Sequence, residues 1–347
     1  MTSSSPSNQG AFGISRYVDP VNLRLLILLV SLGLVFSQLI GPKIYSTASL
    51  QSMAFQLPEL GLLSLAMMIP LLTGGLDLSI IATSNICALA MAAILTTFLP
   101  GHTGFAWVAL QIVAVLAGAL IAALIGAFNG YLIAYMRVPP ILATLGSMTT
   151  IKGIAVGLTH GGVISGLPSS IIYLGHGTLF GIPVAVLIFI AVAIPVGILV
   201  AKTPFGLSVA MIGSNEKATR FSGINTQRVI LKTYVLSSML AACAGLVMMA
   251  RFDSANAAYG ESYLLVTILA AVLGGVSPLG GFGRVSGLVL SLMVLQLIST
   301  AANMLDLSQF LTLSIWGAIL LAVSGFGLVK TWYAQKIRFK LPRPIQS

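Results

Sequence analysis

The chain has 347 residues, of which 57% are hydrophobic and 7% charged, with a net charge of +10 at pH 7. Soluble globular domains carry roughly 25% charged residues, so a soluble enzyme is excluded and an integral membrane protein is expected. The apolar runs are continuous rather than alternating, which selects an all-α polytopic helix bundle over a β-barrel.

The first 22 residues are polar and read as a cytoplasmic tail. No short apolar stretch with a small-residue cleavage site follows, so the first span is expected to stay uncleaved. A spanning helix needs about 20 apolar residues. On that measure ten spans are expected, at 23–40, 53–74, 78–99, 105–134, 140–159, 182–200, 228–250, 263–277, 285–303 and 309–329. They form one transmembrane domain, 23–329, followed by a basic cytoplasmic tail, 330–347. An even number places both termini on one side. The Lys and Arg residues at both ends, with Arg137, the 202–228 loop and Arg284, make that side the cytoplasm. Because the basic residues gather at span ends and not along a groove, no nucleic-acid partner is expected.

Between the sixth and seventh spans lies the one long charged interruption, residues 202–234, with five basic residues and Glu216. It is expected to hold a short helix. Ser214 or Asn215 can accept from the first-turn amides. Glu216 lies at the positive end of the helix dipole and Arg220 towards the negative end. Gly223 supplies a left-handed stop, and Ala218 and Phe221, three apart, share a face. Such a helix is either a knob that another protein grips or a solvated loop. The outward segment 160–181, rich in Gly and Ser, reads as a connection between spans, with docking of an external protein as the other reading.

Polar residues at membrane depth are candidates for function, since an Asp at a helix centre costs about 2.5–3.5 kcal/mol on insertion scales. They include Glu59, Asp77, Asn129 and Gln296. Asp77, in TGGLDLS (73–79), either contacts solute or caps the next helix beside Ser79. Asn129 and Gln296 either line an aqueous pathway or bond across helices. Glycines four apart at 126/130, 153/157 and 283/287 favour close helix contact, mostly within one subunit. No phosphate-cradling G-x-x-x-x-G-K-[ST], metal-ligand cluster or nucleophile–base motif occurs. The chain is therefore not expected to be an enzyme, and neither a cofactor nor a metal is expected.

TGGLDLS (73–79), NGYLIAYMRVPPILATLGSMTTIKG (129–153, which contains Thr144), IGSNEKATRFSGI (212–224) and AAVLGGVSPLGGFGRVSG (270–287) occur in this order. Together they resemble the ribose-type permease subunits of bacterial ABC importers, over about residues 50–328. The resemblance implies a permease dimer in the inner membrane around one pathway for a small-molecule solute, most simply a monosaccharide. It also implies separate cytoplasmic ATPase subunits and a periplasmic substrate-binding protein. The family's coupling helix maps onto Gly213 to Gly223, so Gly213, Asn215, Glu216, Ala218, Arg220, Phe221 and Gly223 are the expected ATPase contacts. Three positions depart from the pattern: Ile80-Ile81, Leu264 after Tyr263, and Ala218-Thr219. They leave the solute and homo- or heterodimer open, with nucleoside or branched-chain amino acid import as alternatives. A gradient-driven transporter would want paired intramembrane carboxylates, and a membrane scaffold would not need a capped, charged loop.

Overall fold

The computed structural model describes residues 19–308 and 310–322. The expected tail 330–347, and the expected tail 1–22 up to residue 18, lie outside the described residues. The helices are α1 (Pro20–Ile40), α2 (Thr47–Leu72), α3 (Ile80–Phe98), α4 (Gly104–Ala134), α5 (Pro140–Thr159), α6 (Ser169–His176) and α7 (Val184–Lys202). They continue with α8 (Pro204–Phe221), α9 (Thr226–Phe252), α10 (Tyr263–Leu273), α11 (Val285–Met304) and α12 (Phe310–Ala322). Eight are long and apolar enough to cross a membrane, while α10 and α12 are shorter. Each expected span corresponds to a described helix, the last of them as far as residue 322.

The boundaries differ where local chemistry sets them. Helix α2 starts at Thr47 rather than 53, because the Ser46 hydroxyl accepts the Ser49 amide at 3.2 Å. Helix α10 stops at Leu273 rather than 277, because Gly274 and Gly275 follow it and Gly275 adopts φ +85°. The charged loop is more helical than expected. Thr203 accepts from Gly206 N–H, Pro204 takes the first position, and α8 runs from there to Phe221.

Helix α2 is the centre of the bundle: it is buried without a break from Pro58 to Leu72. Helices α7, α9, α10 and α11 pack around it. Helices α1, α4, α5 and α7 carry many of the exposed large apolar side chains, as a lipid-facing layer requires. At 31 residues, α4 is about 46 Å long at 1.5 Å per residue, more than the roughly 30 Å hydrocarbon core, so it must tilt or protrude.

Lipid tails are as apolar as leucine, so helices here associate by close packing rather than by the hydrophobic effect. The α4–α9 contact shows the device. A Cβ on Gly126 would stand 2.6 Å from Val235 Cα, and one on Gly130 would stand 2.8 Å from Leu231 Cα. Gly287 likewise lies against the Gly274 carbonyl, and Gly283 against the Leu72 and Val276 side chains. Those two pairs pack within the subunit. The Gly153/Gly157 pair does not: a Cβ on either would meet nothing within 4 Å outside its own helix turn.

The 160–183 segment is docked rather than loose. Its strand β1 (Ile164–Ser165) pairs antiparallel with β4 (Ser254–Ala255), just after α9. Helix α6 packs on α9, where Gly175 lies against the Ala250–Arg251 peptide. Strands β2 (Thr178–Leu179) and β3 (Ile182–Pro183) form a hairpin whose turn presents Phe180 at 97% exposure.

Candidate functional site

Four of the polar candidates meet in one buried network. The turn between α2 and α3 folds back on Asp77, whose Oδ1 accepts both Ser79 N–H (3.1 Å) and Ser79 Oγ–H (2.6 Å). Its Oδ2 accepts from Ser237 Oγ on α9 at 2.9 Å. Asn129, on α4, donates from Nδ2 to Ser79 Oγ at 2.9 Å, and its Oδ1 accepts from Ser147 Oγ on α5. Thr144 Oγ1 lies 2.8 Å from Pro140 O and 3.2 Å from Leu76 O. Asp77, Ser79, Asn129 and Thr144 are all fully buried.

In this conformation the four side chains bond across helices and tie α3, α4, α5 and α9 to one turn. Asp77 does not cap α3, since no side chain accepts from that helix's first-turn amides; it holds the preceding turn together. Ser237 and Ser147 complete the network, and sequence reasoning missed both. Hydroxyl residues are common in apolar helices, so only their tertiary position marks them.

Gln296 lies elsewhere. Its Nε2 donates to Gln56 Oε1 at 3.2 Å, beside a small cavity of about 40 Å³ that Tyr263, Ser299 and Trp316 also line. On the same helix as Gln56, Glu59 pairs with Arg251 from α9 and accepts from Tyr263 Oη at 2.8 Å. The sequence shows Glu59 and Arg251 as scattered single charges, 192 positions apart. Folding makes them a pair. Among the described residues, no three His, Cys, Asp or Glu side chains gather into a metal site.

The charged loop carries the other candidates. Helix α8 breaks at Asn215, where φ is −164° and ψ is 100°. Asn215, not Ser214, then caps the second segment, its Oδ1 accepting Ala218 N–H at 3.0 Å. Thr219 is the one buried side chain of that segment, its Oγ1 donating to Asn215 O at 2.8 Å. Glu216, Ala218, Arg220 and Phe221 are exposed, Phe221 at 92%. Gly223, at φ +82°, ends the segment, its N–H donating to Arg220 O at 3.1 Å. Gly213 is different in kind. A side chain there would collide with the Leu72 carbonyl and Gly281 N–H, which themselves bond at 2.9 Å. It seats the helix against the bundle and stays off the exposed face.

Beside this segment a cavity of about 620 Å³ opens between the ends of α4, α8 and α9. Arg137, Lys217 and Arg220 all reach it, so three basic residues from separate segments converge at this end of the bundle.

A family model described as branched-chain amino acid transport system / permease component matches residues 49–324. The chain is similar to the ribose import permease protein of Bacillus subtilis, 32% identical over 89% of this chain and 92% of that one. It is similar to the L-arabinose transport system permease protein of Escherichia coli, 28% identical over 95% of this chain and 96% of that one. It is also similar to the autoinducer 2 import system permease protein of Yersinia enterocolitica, 28% identical over 76% and 78% of the two chains. No solved structure matches.

Proposed function

The chain belongs to the branched-chain amino acid transport system / permease component family, and we propose that it carries a monosaccharide through the membrane as one permease of an ATP-driven importer. It is a multi-pass membrane protein and a transport permease subunit, not an enzyme. The observation that carries the solute class is the near end-to-end likeness to permeases named for ribose and L-arabinose import. The family description names amino acids, which makes that the reading to test against.

Uptake by cells that lack their own ribose and arabinose permeases decides it. They would be complemented with this chain together with the ATPase and binding protein of the ribose importer, and separately with those of the arabinose importer. Accumulation of a labelled pentose is expected, with none of leucine. Leucine uptake without sugar uptake would overturn the proposal.

The remaining parts of the machine are inferred from the family and supported by geometry. ATP is hydrolysed on separate subunits that grip the α8 segment after Asn215, whose capped and exposed face suits a docking knob. A binding protein delivers solute from the opposite side. A second permease completes the pathway, and the open glycines of α5 at 146, 153 and 157, flanked by exposed Thr149 and Thr150, support α5 as a face turned towards it.

Orientation in the bacterial inner membrane follows from the charge distribution. Phe180→Cys in a chain with Cys243 replaced by Ala is a suitable reporter, since Phe180 is almost wholly exposed, Cys87 is buried and Cys243 is only half-buried. An impermeant thiol reagent added to intact cells whose outer membrane is opened is expected to label it. Labelling only after the inner membrane is opened would reverse the topology.

A further inference from the structure

We propose that the ion pair Lys152–Glu261 is a contact point for a neutral, polyhydroxylated solute partway through the membrane. This rests on the transport reading and deepens it, since it names side chains that meet the solute.

Helix lengths set the depth of the pair. Helix α10 ends in the loop whose Gly280 packs on Gly213 of α8. Its 11 residues make about 16 Å at 1.5 Å per residue, so from the α8 end it crosses only about half of the roughly 30 Å hydrocarbon core. Residues 253–262, which lead into it without forming a helix, therefore dip into the half remote from α8. Asn85 on α3 meets them there, donating from Nδ2 to the Ala257 carbonyl at 3.0 Å and the Tyr259 carbonyl at 2.9 Å. Lys152 agrees with this depth: it lies about 18 Å along α5 from Pro140, which stands against Gly75 at the α8 end. Non-helical backbone at membrane depth survives only where protein buries it or water bathes it. The two sides of this segment divide accordingly, with Ser254, Ala255 and Ala257 buried and Ala258 and Glu261 exposed.

Exposure then says what the pair faces. Lys152 and Glu261 lie 2.8 Å apart and are 42% and 51% exposed. Charges at this depth face a bundle interior or a water-filled space, and these two are not interior. The rule that gathers Lys and Arg at span ends does not account for Lys152, which sits within α5. Nor is the pair a brace like Arg251–Glu59, whose carboxylate is 1% exposed and is also bonded by Tyr263. Around Lys152 the wall stays open: Thr149 is exposed, and a Cβ on Gly153 would meet nothing within 4 Å outside its own helix turn.

The chemistry of the pair suits hydroxyls. An ammonium only donates hydrogen bonds and a carboxylate only accepts them. A hydroxyl does both, so neighbouring hydroxyls of one solute can bridge the two groups. With no net charge, the pair draws in neither anions nor cations. A zwitterionic amino acid would have to part the pair to reach both charges, which is the other outcome of the test.

The test has two arms in the assembled importer. With Cys243 replaced by Ala, Glu261→Cys is expected to react with a small charged thiol reagent, whereas Ile194→Cys, at 58% exposure on lipid-facing α7, is not. Lys152→Met and Glu261→Gln are each expected to lower the ratio of ribose to 2-deoxyribose uptake about fivefold, the scale of one lost hydrogen bond. ATPase retention and melting temperature should match the parent, because a half-exposed pair adds little to stability. A merely structural pair would lower both uptakes alike. An unreactive Glu261→Cys, or an unchanged uptake ratio, overturns the proposal and leaves the transport reading standing. Leucine uptake in place of ribose by the parent overturns both.

Discussion

Asp77→Ala is expected to cost roughly 2–4 kcal/mol of stability and most of the folded yield, while Asp77→Asn should cost less than half as much. The alanine variant strands three donors in a buried site: Ser79 N–H, Ser79 Oγ–H and Ser237 Oγ–H. Each stranded donor costs about 1–3 kcal/mol. Ser237 escapes part of that, because the Ala66 carbonyl lies 2.9 Å from its hydroxyl. No water can relieve the others at zero exposure. Asparagine keeps the acceptor for Ser79 and turns a donor towards Ser237 Oγ, which can rotate to accept it. The effect should spread beyond the turn, since Asn129 bonds to Ser79 and Ser147 to Asn129. Thermal unfolding of the purified variants, with the monodisperse fraction on size exclusion, measures both. An alanine variant as stable as the parent would mean that the network is not what holds α3, α4, α5 and α9 together.

Periodicity and charge are local signals, and what they could reach is what they reached. A long apolar run implies a helix whatever its partners are, so each expected span corresponds to a described helix, eight of them long enough to cross a membrane and α10 and α12 shorter. Asn followed by Glu and an apolar pair three apart implies a capped helix, and Asn215 caps one. The pairings were out of reach for the opposite reason. Asp77 meets Ser237 across 160 positions and Glu59 meets Arg251 across 192, and no spacing rule spans such distances. A Ser in an apolar helix carries no mark of what it faces. Glycine spacing fell in between. Three similar pairs were visible, but the sequence does not say that Gly126/Gly130 press on α9 while Gly153/Gly157 stand open. Of the two expected caps Asn215 is the one used, and Gly223 is the stop, yet α8 begins at Pro204, because Thr203 and Pro204 form a helix start that the charge pattern overshadows. Gly213 shows the limit most clearly. Its motif position implies an ATPase contact, while its geometry shows that a side chain there would collide with Leu72 and Gly281, which no spacing rule reveals.

Phe221→Ala is expected to uncouple the importer, lowering ATPase co-purification by roughly 2 kcal/mol or more of docking energy, the scale of an interface hot spot. A phenylalanine at 92% exposure at the end of a charged helix has no partner within the described residues that would explain an aromatic there. It sits on a segment that cannot easily drift, because Asn215 caps its start, Thr219 anchors its middle and Gly223 closes its end. A rigid scaffold presenting one aromatic with a polar rim is the arrangement in which a hot spot loses little entropy on binding. Glu216→Ala should matter less, since its exposed carboxylate contributes mainly a dipole interaction of about 0.3–1 kcal/mol. Gly223→Val should be severe by another route. A β-branched residue resists φ +82°, so the segment loses its stop and Phe221 its bearing. Binding-protein affinity should survive all three changes, because none lies near the β1–β4 end of the bundle. The measurement is transport, ATPase retention and binding-protein affinity for each variant in the assembled importer. Full retention of the ATPase and normal transport by Phe221→Ala would return this segment to a solvated loop and move the coupling contact elsewhere on the same face.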